Sequence, residues 1–153
     1  MKNLAPIPVG TLNARLIGMW WLESRIDLDA AGRRRIDPIM GADPVGVVCF
    51  SAERFSAQFM RRDRSPAAAP PAGGVPANNS SAVNGYDAYF GSYTVDEAAG
   101  IMRTTLEGAV TPANIGSVFE RHVAVADGKL TIRLATTAPD GTALTRTLTF
   151  RRL

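Results

Sequence analysis

The sequence predicts an all-β protein, a closed antiparallel up-and-down barrel of about eight or nine strands with a short N-terminal helical turn. Three observations predict it. Apolar and polar residues alternate with a period of two from Trp20 onward, as in strands with one buried face. Turns built from Gly, Pro and Asp recur at short intervals. Between the strands there is no room for the helices of roughly ten or more residues that parallel neighbours would need.

The chain has 153 residues, 46% hydrophobic and 20% charged, which suits one core burying about two thirds of the unfolded chain's surface. We read one domain over residues 11–153, interrupted by a Pro/Ala/Gly-rich loop at 64–85. No apolar run approaches the roughly 20 residues that span a bilayer. Met1 to Pro8 holds no apolar core of signal-peptide length. A cytoplasmic protein without a membrane partner is expected.

The elements follow in order. Thr11 is a plausible N-cap and Gly18 a stop for one or two helical turns over 11–18, placed to plug one barrel end. In the first strand Trp20, Leu22, Ser24, Ile26 and Leu28 alternate with Trp21, Glu23, Arg25 and Asp27, which predicts the former set buried. Ala30-Ala31-Gly32 turns the chain. Further strands are predicted over 33–40, 45–51, 55–63, 86–96, 100–109, 117–126, 129–137 and 142–152. Asp127-Gly128 is a two-residue hairpin signal, and Pro139-Asp140-Gly141 puts glycine where a positive φ is needed. The stretch Ser65 to Ser81 is too rich in Pro, Ala, Gly and Asn for a strand; it is either a lid over the barrel mouth or a loose excursion.

Charge and reactive side chains exclude several functions. The net charge of +3 comes from 17 basic residues, of which only Lys2 and Lys129 are lysine. The clusters Arg33-Arg34-Arg35, Arg61-Arg62-Asp63-Arg64 and Arg151-Arg152 fall in different strands among acidic residues, so no nucleic-acid partner is predicted. The lone Cys49 lies in Val47-Val48-Cys49-Phe50 and reads as a buried, inert thiol. A metal site needs three or four ligands, and His122 with one distant Cys cannot supply a His- or Cys-based set. Neither a metal nor a cofactor is predicted. No Gly-x-Ser-x-Gly, phosphate loop or dinucleotide fingerprint appears.

Leu16 to Ser24, Met40 to Gly46, Tyr89-Phe90-Gly91-Ser92-Tyr93, Pro112 to Gly116, Arg121 and Leu148 to Arg152 together resemble, in order and spacing, the bacterial and fungal lipocalin-like domain family over roughly residues 16–152. The resemblance implies the barrel and a small-molecule function. Many members of that family carry a His-His pair where this chain has Thr104 and Thr105.

Carrying the alternation outward from these motifs puts Trp20, Ser24, Phe50, Gln58, Met60, Met102 and Thr104 on the lumenal face as candidate ligand-binding residues. Ser56, Tyr89, Tyr93 and Arg121 fall on the same face, with His122 pointing out. Gly91 between two inward tyrosines would leave space for a ring such as Trp20. An inward Arg121 is costly unless paired. It either closes one barrel end by stacking on Trp20 or binds an enolate or carboxylate, with Tyr89 or Tyr93 as proton donor and Glu107 or Asp96 as base. Glu107 falls on the face opposite Thr104 in this register. Tyr89, Tyr93 and Arg121 are thus the candidate catalytic residues.

Two functions survive. One is a binder of a small apolar or aromatic metabolite, acting as a monomer or homodimer. The other is a cofactor-free isomerase, cyclase or lyase on such a metabolite, which the resemblance permits since small barrels of this kind serve natural-product pathways.

Overall fold

The computed structural model describes residues 10–64 and 84–153. A short helix α1 (Leu12–Leu16) precedes β1 (Gly18–Leu28), β2 (Arg34–Arg35), β3 (Val45–Phe50), β4 (Arg54–Met60), β5 (Tyr86–Asp96), β6 (Ile101–Ala109), β7 (Val118–Ala126), β8 (Lys129–Thr137) and β9 (Ala143–Arg152), with a single 3₁₀ turn at Pro112–Asn114. Every neighbouring pair is antiparallel, and β1 pairs with β9 to close the sheet. The barrel therefore has eight strands, and β2 is a two-residue addition on the edge of β1. The predicted strand over 33–40 shortens to β2 because the Asp37 carboxylate accepts from the Ile39 and Met40 amides and turns the chain at Pro38. Most of the predicted loop at 64–85 lies outside the described residues.

The end of the barrel at the start of β1 is closed. Thr11 caps α1 by accepting from the Ala14 amide, as expected, and the Glu97 carboxylate accepts from the amides of Leu12 and Asn13. Leu12 and Leu16 enter the core. Trp20 is fully buried, and its indole N–H donates to the Leu16 carbonyl at 2.8 Å. The Arg152 guanidinium lies 4.1 Å from the Trp20 ring centroid and donates to the carbonyls of Ile17 and Arg15. Arg152, and not Arg121, closes this end. Residue 18 must be glycine, because φ is +131° and a Cβ would sit 2.8 Å from the Arg152 guanidinium.

Two strands depart from the predicted faces, and in a third, β3, whose Phe50 turns inward as expected, one residue's burial differs. In β1 a bulge between Leu22 and Ser24 inverts the alternation: Asp27 is buried, while Ile26 and Leu28 are exposed. In β4, Phe55, Ala57 and Phe59 turn inward and Ser56 and Gln58 outward, opposite to expectation. The cause is register: Phe50 stands opposite Phe55 and Val48 opposite Ala57, and facing residues share a side of the sheet. In β3, Cys49 is exposed, because Val48 and Phe50 take the inward positions on either side. The hairpin at Asp127 and Gly128 has positive φ at both residues, as its sequence predicts.

Gly91 leaves no space for a ring. At a second bulge, between Phe90 and Gly91, a Cβ at position 91 would lie 1.8 Å from the Thr105 carbonyl oxygen. Gly91→Ala should therefore force β5 and β6 apart and destabilise by about 3 kcal/mol or more. Gly116→Ala, with φ +88° and open space around it, should cost only about 1–2 kcal/mol. Denaturant melts of the two variants check the order; equal losses would contradict it.

Candidate functional site

A cavity of about 100 Å³, partly open to solvent, occupies the half of the barrel away from α1. Its inner wall is apolar, with Val48, Phe50, Phe55, Met102, Leu148 and Phe150 among the contributors. An apolar cavity of roughly 150 Å³ holds a benzene ring; this one is smaller but open on one side, so it takes a single ring or a short chain whose end reaches the opening.

The polar part of the wall is built by alternation and by one bulge. Arg25 turns inward because of the β1 bulge; Arg146, two residues before inward Leu148, follows ordinary strand alternation. Asp27 accepts both Nε and Nη2 of Arg146, at 2.8 and 3.0 Å, and Arg25 donates to Asp37 at 2.8 Å. These four side chains form an offset network of two cations and two anions. Asp37 in turn seats Met40, which is 2% exposed and lines the cavity.

Four other polar residues face the cavity: Asp87 and Tyr89 on β5, Thr104 on β6 and Arg121 on β7. Asp87 has no cation within ion-pairing distance among the described residues. Burial pushes its carboxyl up to about 7, against the pull of its backbone hydrogen bond, Arg25 and Arg146. Burial also raises the Tyr89 phenol, opposed by Arg121. The Arg121 guanidinium is held below its usual value by burial. It donates to the Glu120 carbonyl at 3.0 Å and lies 4.9 Å from the Phe119 ring centroid. Among the described residues no carboxylate pairs with it, and the Tyr89 hydroxyl makes no hydrogen bond.

A family model described as a lipocalin-like domain matches residues 17–153, nearly the whole chain. The chain belongs to that family. No curated protein matches it. A lipocalin-like barrel is in general a ligand-binding barrel, and here an apolar-walled cavity lies in the half of the barrel just described.

Of the residues predicted from the sequence, this lipocalin-like barrel brings Phe50, Met102, Thr104, Tyr89 and Arg121 to one cavity. Trp20 and Tyr93 are inside the barrel but belong to the closed end. The Tyr93 hydroxyl donates to the Ser51 carbonyl at 2.6 Å and accepts from Asn13. Ser24, Gln58 and Met60 are not on the cavity wall; Gln58 accepts from the Tyr86 hydroxyl on the outer surface. Asp96 and Glu107 are exposed, and Glu107 pairs with Arg54. His122 faces out, as expected. Sequence reasoning missed Arg25, Asp87 and Arg146. The alternation that turned Tyr89 inward also carries Asp87 inward, so that signal was present.

Asp87 makes stability depend on pH. Its folded value of about 7 exceeds the ordinary carboxylate value near 4, so between them the native state holds a proton that the unfolded chain has lost. Its stabilising effect is full below about pH 4 and lost as pH rises through about 7. Asp87→Asn should flatten the fall in Tm between pH 5 and pH 8 and exceed wild type at pH 8. Parallel thermal melts check this, and parallel curves would contradict it.

Proposed function

We propose that the barrel binds a small apolar or aromatic molecule in the half of its lumen away from α1. The observation that carries the reading is the cavity itself: an apolar inner wall with a few polar groups at one side, the usual lining of a small-molecule site. In this reading Phe50, Met102 and Thr104 contact the ligand, while Trp20 and Tyr93 act by holding the closed end rigid. The site of action we propose is cytoplasmic.

Asp87 favours a second reading, a cofactor-free isomerase, cyclase or lyase. A carboxyl that titrates near neutrality exchanges a proton at the working pH. Beside it, Tyr89 and Arg121 would stabilise a developing oxyanion. Asp87 replaces Asp96 and Glu107 as the base, because only it reaches the cavity. A bound molecule recovered unchanged supports the binder; its conversion, lost in Asp87→Asn, supports the enzyme.

Calorimetry with phenol tests the lumenal site. Leu134 lines the cavity and is only half-buried, so Leu134→Trp should fill the space and weaken phenol binding about tenfold or more, with the fold retained. Gln58→Ala, on the outer surface, should leave it unchanged. Equal loss in both variants, or in neither, would contradict the assignment.

A further inference from the structure

The polar wall of the cavity is unbalanced in charge. Arg25 and Arg146 are offset by Asp37 and Asp27 in direct ion pairs. Arg121 is a third cation on the same wall and has only a backbone carbonyl and an aromatic face for company. A guanidinium has five N–H donors and stays charged under all ordinary conditions. One bond to Glu120 leaves most of those donors without a protein partner among the described residues, on a partly exposed side chain that a ligand in the cavity can reach. The Phe119 ring lies against the guanidinium and helps to fix its plane. Tyr89 adds a hydroxyl that makes no hydrogen bond among the described residues, on the wall of the same cavity.

We propose that this pair is a carboxylate subsite: Arg121, helped by the Tyr89 hydroxyl, receives the carboxylate of a small apolar or aromatic acid whose body fills the inner cavity. The inference rests on the lumenal binding proposed above and adds the chemical class of the ligand. A carboxylate fits better than a phosphate. The planar fork of arginine matches two oxygens of either anion, so charge and space decide between them. Below about pH 7, with Asp87 protonated, the wall offers one cation without an ion pair, which balances a monoanion and leaves a phosphate dianion half compensated. The cavity, at about 100 Å³ with a mostly apolar wall, has little room for the hydration that a phosphate retains.

Isothermal titration of the full chain with matched pairs tests this: cinnamate against cinnamyl alcohol, and octanoate against octanol, near pH 6, where both acids are ionised and the Asp87 carboxyl stays mostly protonated. Each acid should bind about ten- to a hundredfold tighter than its alcohol, the worth of one or two charge-assisted hydrogen bonds. Arg121→Gln should abolish that preference and leave alcohol affinity unchanged. Arg121→Lys, which keeps the charge and loses the fork, should retain a smaller preference and carries the test if the Gln variant does not fold. Tyr89→Phe should weaken the acids alone. If wild type binds acid and alcohol equally, or Arg121→Gln keeps the preference, the carboxylate subsite is wrong and lumenal binding stands. If neither member of either pair binds, lumenal binding falls and the subsite with it.

Discussion

Between Leu22 and Ser24, β1 carries one residue more than β9 opposes, and the chemistry of the lumen depends on that extra residue. Strand side chains alternate strictly, so a one-residue slip exchanges the two faces of everything beyond it. Before the bulge β1 delivers Trp20 and Leu22 to an apolar core; after it, the same strand delivers Arg25 and Asp27. A continuous alternation would have buried Ile26 and Leu28 and left Arg146 on β9 without its carboxylate. One bulge thus turns Arg25 and Asp27 inward, and their ion pairs with Asp37 and Arg146 make those charges tolerable there.

The two ends of the barrel divide the labour. At the closed end, polar groups are spent on one another: Trp20 on the Leu16 carbonyl, Arg152 on the end of α1, Tyr93 on Asn13 and Ser51. Such an end is fully satisfied and has nothing left to offer a ligand. At the other end Asp87, Tyr89 and Arg121 line the cavity without direct ion pairs among the described residues, Asp87 buried and the other two partly so. Burial of this kind works against stability and is characteristic of sites that bind or react. Arginines therefore serve opposite purposes in this chain, Arg152 as a structural clamp and Arg121 as an uncommitted cation.

The sequence made the architecture legible because turns and alternation are local. The Asp127-Gly128 hairpin, the Thr11 cap and the antiparallel order of the strands all follow from residues near one another in the chain. Which face looks inward was less legible wherever both faces looked alike. In β4, Phe55-Ala57-Phe59 and Ser56-Gln58-Met60 each include apolar residues, and only pairing with β3 decides between them. Cys49 was misread for a related reason, since an apolar run hides its own alternation. The inward Arg25 was not legible, because a bulge inserts its residue without a sequence mark of its own. Arg121 was placed on the correct side, but its partner was not. Trp20 meets Arg152 because α1 and the closure of β1 on β9 bring that residue over the indole, a contact between residues far apart in sequence.

The most direct test of the account is backbone and side-chain NMR of the full chain during titration with a small aromatic acid such as cinnamate. The account predicts that shift changes concentrate on Asp87, Tyr89, Thr104, Met102 and Arg121, with the indole of Trp20 and the ring of Tyr93 little affected. Changes centred on Trp20, Tyr93 and α1, or spread over the outer faces of β3 and β4, would contradict it.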